Sequence, residues 1–199
     1  IPHPDPIRGS DSVDPCLFKD DDGTVYAFFG GIWGGQLQWY DNNKMLKDEH
    51  LPEGKEPALP PRVVRMTDDM LQFAEPPRAV EIVDANGQPL TADNPYRFFE
   101  ASWMHKYNGR YYFSYSTGDT HYLCYAIGDN PYGPFTFQGV ILDPVVGWTT
   151  HHSILEYKGQ WYLFHHDCVP SNGTTWLRSL KVMPLHYDST GHILRMKSE

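Results

Sequence analysis

The sequence has no run of apolar residues near the roughly 18 to 20 that a membrane-crossing helix needs, so nothing in it points to a spanning segment. It is also poor in clustered positive charge. Its 16 Lys and Arg stand against 25 Asp and Glu, the formal net charge is −9, and no basic run offers phosphates a footprint, which excludes a nucleic-acid partner. Cysteine is scarce. Cys16, Cys124 and Cys168 are far apart and odd in number, which fits neither a disulfide framework nor a CxxC metal site. They read as reduced residues in or near the core, and reduced thiols lean towards a cytoplasmic setting without fixing one. The opening residues, Ile1-Pro2-His3-Pro4-Asp5-Pro6, lack an initiator Met, a basic region and an apolar region, and read as a cut end.

Aromatic residues, by contrast, are plentiful. Of the 199 residues 15% are aromatic, with 13 Tyr, 6 Trp and 10 Phe, which favours a sheet-rich fold because flat rings pack well on pleated surfaces; such rings also line sugar sites. The length allows one compact domain. Three stretches share one plan. Asp14 to Phe29 turns at Asp20-Asp21-Asp22-Gly23, Glu100 to Tyr115 turns at Asn108-Gly109, and His151 to Phe164 turns at Lys158-Gly159. Each reads as a β-hairpin with an aromatic return strand, since Asp-Gly and Asn-Gly supply the positive φ of primed turns, Lys158-Gly159 being a weaker version.

The hairpin heads at 14, 100 and 151 are about 86 and 51 residues apart, close to the roughly 40 to 50 residues of a four-stranded propeller blade, with the first interval enlarged. The enlargement falls in 41–61 and 84–95, whose prolines, mixed charges and Asn86-Gly87 mark excursions between strands. Val63 to Met66, Leu123 to Ala126 and Leu180 to Met183 supply outer strands, and Pro131 to Phe135 a turn before the last strand of the second blade. The first residues of innermost strands gather at one mouth of a propeller channel. Repetition therefore predicts an all-β partial propeller of about three blades in which Asp14, Glu100 and His151 converge.

Two carboxylates and an imidazole in one funnel suit glycoside hydrolysis, in which one carboxylic acid protonates the leaving oxygen and a second carboxylate activates water or attacks carbon. A nearby carboxylate such as Asp14 helps keep the acid protonated, and the apolar setting Phe98-Phe99-Glu100-Ala101-Ser102-Trp103 would raise the pKa of Glu100. Plainer readings exist for each. Asp14-Pro15 is a common turn pair, and Glu100 could be a strand edge. His151-His152 with His165-His166 suggest a metal, yet adjacent strand residues point to opposite faces, which disfavours zinc catalysis. Asp20-Asp21-Asp22-Gly23 lacks the distal Glu of a calcium loop and reads as a solvated turn.

Ser12-Val13-Asp14-Pro15 through Gly23, Phe99-Glu100-Ala101 before a strand with Asn108-Gly109, and Thr150-His151-His152-Ser153-Ile154 resemble glycoside hydrolase family 43, in that family's order. Phe29 to Leu37 resembles its exo-acting β-xylosidase and α-L-arabinofuranosidase branch. The resemblance implies a five-bladed β-propeller that hydrolyses xylo- or arabino-oligosaccharides with inversion. It implies Glu100 as general acid and Asp14 as the carboxylate that tunes and orients it. His151 is similar to the family's channel histidine, which in many members lies by a calcium or water cluster under the sugar, and so is the expected contact for a structural Ca2+. Arg178 resembles an arginine that reaches the sugar, and Trp33 and Gln36 are candidates for the pocket wall, although Trp33 could equally be core.

The family's general base heads the first blade, well before the modulator, and only Asp5 and Asp11 precede Asp14 here. Neither is assigned as base. Three blades leave two open edges, so a second chain or segment carrying the N-terminal blades is the expected partner, and the chain alone is expected to show no glycosidase activity. An endo-arabinanase, or a non-hydrolytic carbohydrate-binding propeller, remains the competing reading.

Overall fold

The computed structural model describes residues 13–41 and 43–198. The chain is all-β, and its sheets follow one another in chain order. In the first, β1 (Cys16–Lys19) and β2 (Val25–Phe29) form a hairpin. Two short 3-10 turns and the small hairpin of β3 (Tyr40–Asp41) and β4 (Lys44–Met45) intervene before β5 (Arg62–Arg65) and β6 (Arg78–Ala79) complete the order β1-β2-β5-β6. After β7 (Ile82–Val83), the second sheet is built from β8 (Phe98–Tyr107), β9 (Arg110–Thr117), β10 (Leu123–Gly128) and β11 (Phe135–Leu142), with β7 pairing parallel to β11 at its outer edge. The third holds β12 (His152–Tyr157), β13 (Gln160–Asp167) and β14 (Ser179–Leu185).

The turns explain why the hairpins close as they do. Asn108 and Gly109 have φ of 48° and 75°, and Lys158 and Gly159 have 53° and 79°, so both are two-residue turns with left-handed central positions. Lys158 adopts that geometry without the preference of Asn for it, because the paired strands on either side set the twist.

The sheets pack face to face, as propeller blades do. Along β9 the side chains alternate between two cores: Tyr111, Phe113 and Tyr115 join Phe18, Phe28 and Val63 of the first sheet, whereas Tyr112 joins Ile154, Leu163 and Leu185 of the third. Both faces of the second sheet are therefore buried, which is why its central strands read as nearly continuous apolar runs. Cys16, Cys124 and Cys168 are all buried free thiols.

Two sequence expectations are refined. The 41–61 and 84–95 excursions are laced together: the Ala58 amide donates to Leu90 O and the Ala92 amide to Glu56 O, both at 2.8 Å, and Lys55 Nζ lies 2.8 Å from Asp93 Oδ2. The Asp20-Asp21-Asp22-Gly23 turn is more than solvated. Lys106 Nζ donates to Asp20 Oδ1 (2.9 Å) and Asp21 Oδ2 (2.7 Å), and Tyr111 Oη donates to Asp20 Oδ2 (2.6 Å), so these carboxylates tie the first sheet to the second. Asp5 and Asp11 lie outside the described residues.

Candidate active site

Inner strands β1, β8 and β12 run side by side, and their heads bring Asp14, Glu100 and His151 together. The local cause at Glu100 is an irregular strand. Glu100 pairs with Ser116 and Trp103 with Ser114, with register shifts on both sides of Glu100, so β8 carries extra residues there. Bulges re-aim side chains at strand ends. Ala101 accordingly has φ of 63°, a left-handed conformation that costs an L residue about 1–2 kcal/mol. Its amide donates to Asp14 Oδ2 at 3.1 Å, so the strained residue next to Glu100 is tied to the other carboxylate.

Asp14 is itself left-handed, with φ of 51°, a region Asp tolerates better than most residues. Its Oδ1 lies 3.4 Å from His151 Nδ1. Burial pushes the Asp14 carboxyl up, but the His151 hydrogen bond and charge, the Ala101 amide and the Arg178 charge together hold it below its ordinary value. Glu100 moves the other way. Burial raises its carboxyl above the ordinary value, and the negative Asp14 adds to the rise, against the Thr149 hydroxyl and the charges of His151 and Arg178. One carboxylate is thus kept ionised and its neighbour inclined to keep its proton.

The backbone beside Glu100 leaves little room. The Ile32 amide donates to Phe99 O at 3.0 Å, and a Cβ on Gly31 would lie 2.6 Å from Val13 Cγ1 and 3.2 Å from Glu100 Cβ. Trp33, two residues on, is 58% exposed, which removes the core reading for it. Gln36 is half-buried and left-handed at φ of 59°. Its neighbour Gln38 is the buried one, and Gln38 Oε1 accepts from the Trp33 amide at 3.2 Å.

On the opposite flank, Thr149 donates its hydroxyl hydrogen to Glu100 Oε1, and Ser116 Oγ donates to Thr150 O at 2.6 Å. The His151 amide donates to His166 Nε2 (3.1 Å), with Arg178 Nη1 3.5 Å from the same nitrogen. Burial, with Arg178 and His151 nearby, pushes His166 down to about 4, which fits a neutral acceptor. His152 points away, its Nε2 2.6 Å from Ser114 Oγ, as strand alternation requires. The sequence gives Thr149 and Gln38 no role and offers His166 only as part of a metal cluster that strand alternation disfavours; Thr149-Thr150 directly before His151 is the available signal.

The surroundings of His151 bear on the calcium contact expected there. Calcium takes six to eight oxygen ligands, and among the described residues no three His, Cys, Asp or Glu side chains come together to hold an ion. His151 Nδ1 faces Asp14 instead. The described residues do not fit a calcium site by themselves.

The family profile described as glycosyl hydrolases family 43 matches residues 2–193. A β-xylosidase of Xylanibacter ruminicola is 78% identical over 197 residues, spanning 99% of this chain and 62% of that protein. The structure of RS223 β-xylosidase superposes with a TM-score of 0.94 at 66% identity, covering 100% of this chain and 62% of that one. A β-xylosidase/α-arabinofuranosidase from a compost microbial metagenome, in a calcium-free form with xylotriose, gives a TM-score of 0.91 at 54% identity and covers 98% of this chain and 61% of that one. These neighbours are five-bladed β-propellers, and the present chain spans only about three-fifths of them. By the extent of its match, the chain belongs to glycosyl hydrolases family 43.

Proposed function

We propose that this chain carries the general acid, Glu100, and its tuning carboxylate, Asp14, of an inverting, exo-acting β-1,4-xylosidase that also accepts α-L-arabinofuranosides, working on hemicellulose-derived oligosaccharides. The observation that carries this reading is the coupled pair: Asp14 Oδ2 accepts the amide next to Glu100, and the two carboxyls are displaced in opposite directions. Environments that push two carboxyl pKa values apart assign an acid and an ionised partner. The xylotriose held by a relative supports a xylo-oligosaccharide as the substrate.

In the reaction, Glu100 donates its proton to the glycosidic oxygen as that bond breaks. Water attacks the anomeric carbon from the opposite face and gives its proton to a base roughly 6.5 to 9.5 Å from the acid. Asp14, whose carboxylate is held by the amide next to Glu100, is assigned to the acid's side of the sugar rather than to the role of base. We place the base in the part of the relatives' length that this chain does not span, together with the blades that close the channel. His151 and Arg178 bind the sugar in the channel, and Trp33 and Gln36 form part of the wall. A calcium ion near His151 would need its oxygens from water or from residues beyond those described here.

Replacement of Glu100 tests this reading in protein of the relatives' full length. Glu100→Gln should abolish hydrolysis of unactivated xylobiose while largely sparing an aryl xyloside with a good leaving group, because the need for a proton scales with the leaving group. Equal losses on both substrates would remove Glu100 from the role of acid.

A further inference from the structure

We propose that the exposed face of Trp148, backed by His121, is the platform on which the departing pentose unit of the oligosaccharide stacks. This rests on Glu100 being the general acid. The acid must hydrogen-bond the oxygen that leaves with the second sugar, so that sugar lies beside the Glu100 carboxyl. Two loops flank that carboxyl. One leaves β9 after Thr117, one residue beyond Ser116, the register partner of Glu100, and the other carries Thr149, which donates to Glu100 Oε1. Ser116 Oγ, donating to Thr150 O, joins the two.

Where these loops meet, the rings of His121 and Trp148 lie 4.8 Å apart at 57°. Trp148 is nevertheless 52% exposed. A half-exposed indole is ordinary if it is mobile, but both of its supports are pinned. The Tyr122 amide donates to Thr117 Oγ1 (2.8 Å), Thr117 Oγ1 pairs with Thr120 Oγ1 (2.7 Å), and the His121 amide donates to Gly118 O (3.1 Å). On the other loop the Cys168 amide donates to Val146 O at 2.8 Å, and Gly147, at φ of 124°, approaches so closely that a Cβ there would stand 2.9 Å from Cys168 Sγ. A flat ring seated on pinned loops, packed against His121 and with half its surface open to solvent, is preorganised to take the apolar face of a sugar at low entropic cost.

The other exposed tryptophans are placed differently. Trp33 follows the glycines packed on the backbone side of Glu100, and Trp176 precedes Arg178; neither loop donates to the Glu100 carboxylate.

The test compares kcat/KM for xylobiose with that for β-D-xylopyranosyl fluoride, whose leaving group carries no sugar, in protein of the relatives' full length. Trp148→Ala should lower the xylobiose-to-fluoride ratio roughly 10- to 100-fold, and Trp148→Phe should recover most of it, because truncating a stacking ring costs that much and phenyl keeps a flat face. Equal loss on both substrates would show a merely structural role and overturn the platform, as would an unchanged ratio. Failure of the unaltered protein to hydrolyse either substrate would overturn the glycosidase reading itself, and the platform with it.

Discussion

Thr149 and Glu100 are joined by a direct hydrogen bond from the threonine hydroxyl to Oε1 of the carboxyl, across the seam between the second and third sheets. With Oε1 occupied as an acceptor, Oε2 is the oxygen left to carry a proton, and in the proposed role of Glu100 it is Oε2 that would meet the glycosidic oxygen.

Removing that donor has a definite sign. The Thr149 hydroxyl opposes the rise that burial imposes on Glu100, so Thr149→Val should push the Glu100 carboxyl further up. The alkaline limb of the kcat/KM profile, which reports loss of the acid's proton, should move to higher pH, and kcat should fall about tenfold through lost orientation. Thr149→Ser should restore both. An unmoved limb would count against the contact acting on the acid.

Asp14 acts in the opposite sense. Its negative charge adds to the rise of Glu100, so Asp14→Asn, which can still accept from the Ala101 amide, should let the Glu100 carboxyl fall. The alkaline limb should then shift to lower pH and activity at neutrality should drop. Titration of kcat/KM against pH reads this directly, and a limb at its original position would show that Asp14 does not tune the acid.

A pH effect on stability follows from His105, buried between the second and third sheets, with Nε2 2.8 Å from Tyr187 Oη and its ring stacked on Tyr112 at 5.1 Å. Burial pushes it down to about 3, from 6.5 in the open chain. Between those values the unfolded state binds the extra proton, so stability is intact above 6.5 and is lost as pH falls towards 3, at up to about 1.4 kcal/mol per pH unit. Denaturant unfolding at pH 7 and pH 5 should show His105→Gln losing about 2 kcal/mol less than the unaltered protein over that interval. Equal losses would mean that His105 is not held neutral.

The sequence by itself determined the blade plan. Turn chemistry at Asn108-Gly109 and the aromatic return strand that follows it are local properties, and a propeller converts their repetition into a meeting of Asp14, Glu100 and His151 without further information. It also determined that His151 and His152 part company, since strand neighbours face opposite ways. What only the tertiary structure decided are contacts between segments with no shared periodicity. The Thr149 bond to Glu100, the lacing of 41–61 to 84–95, and the ties from Asp20 to Lys106 and Tyr111 join residues tens of positions apart through loops and turns. The bulge at Glu100 and Ala101 belongs with these: nothing local asks alanine to be left-handed, and the conformation persists because Asp14, from another sheet, takes its amide. Exposure was equally illegible for Trp33, whose side chain would serve a core or a rim, and only the packing around it put it at the surface.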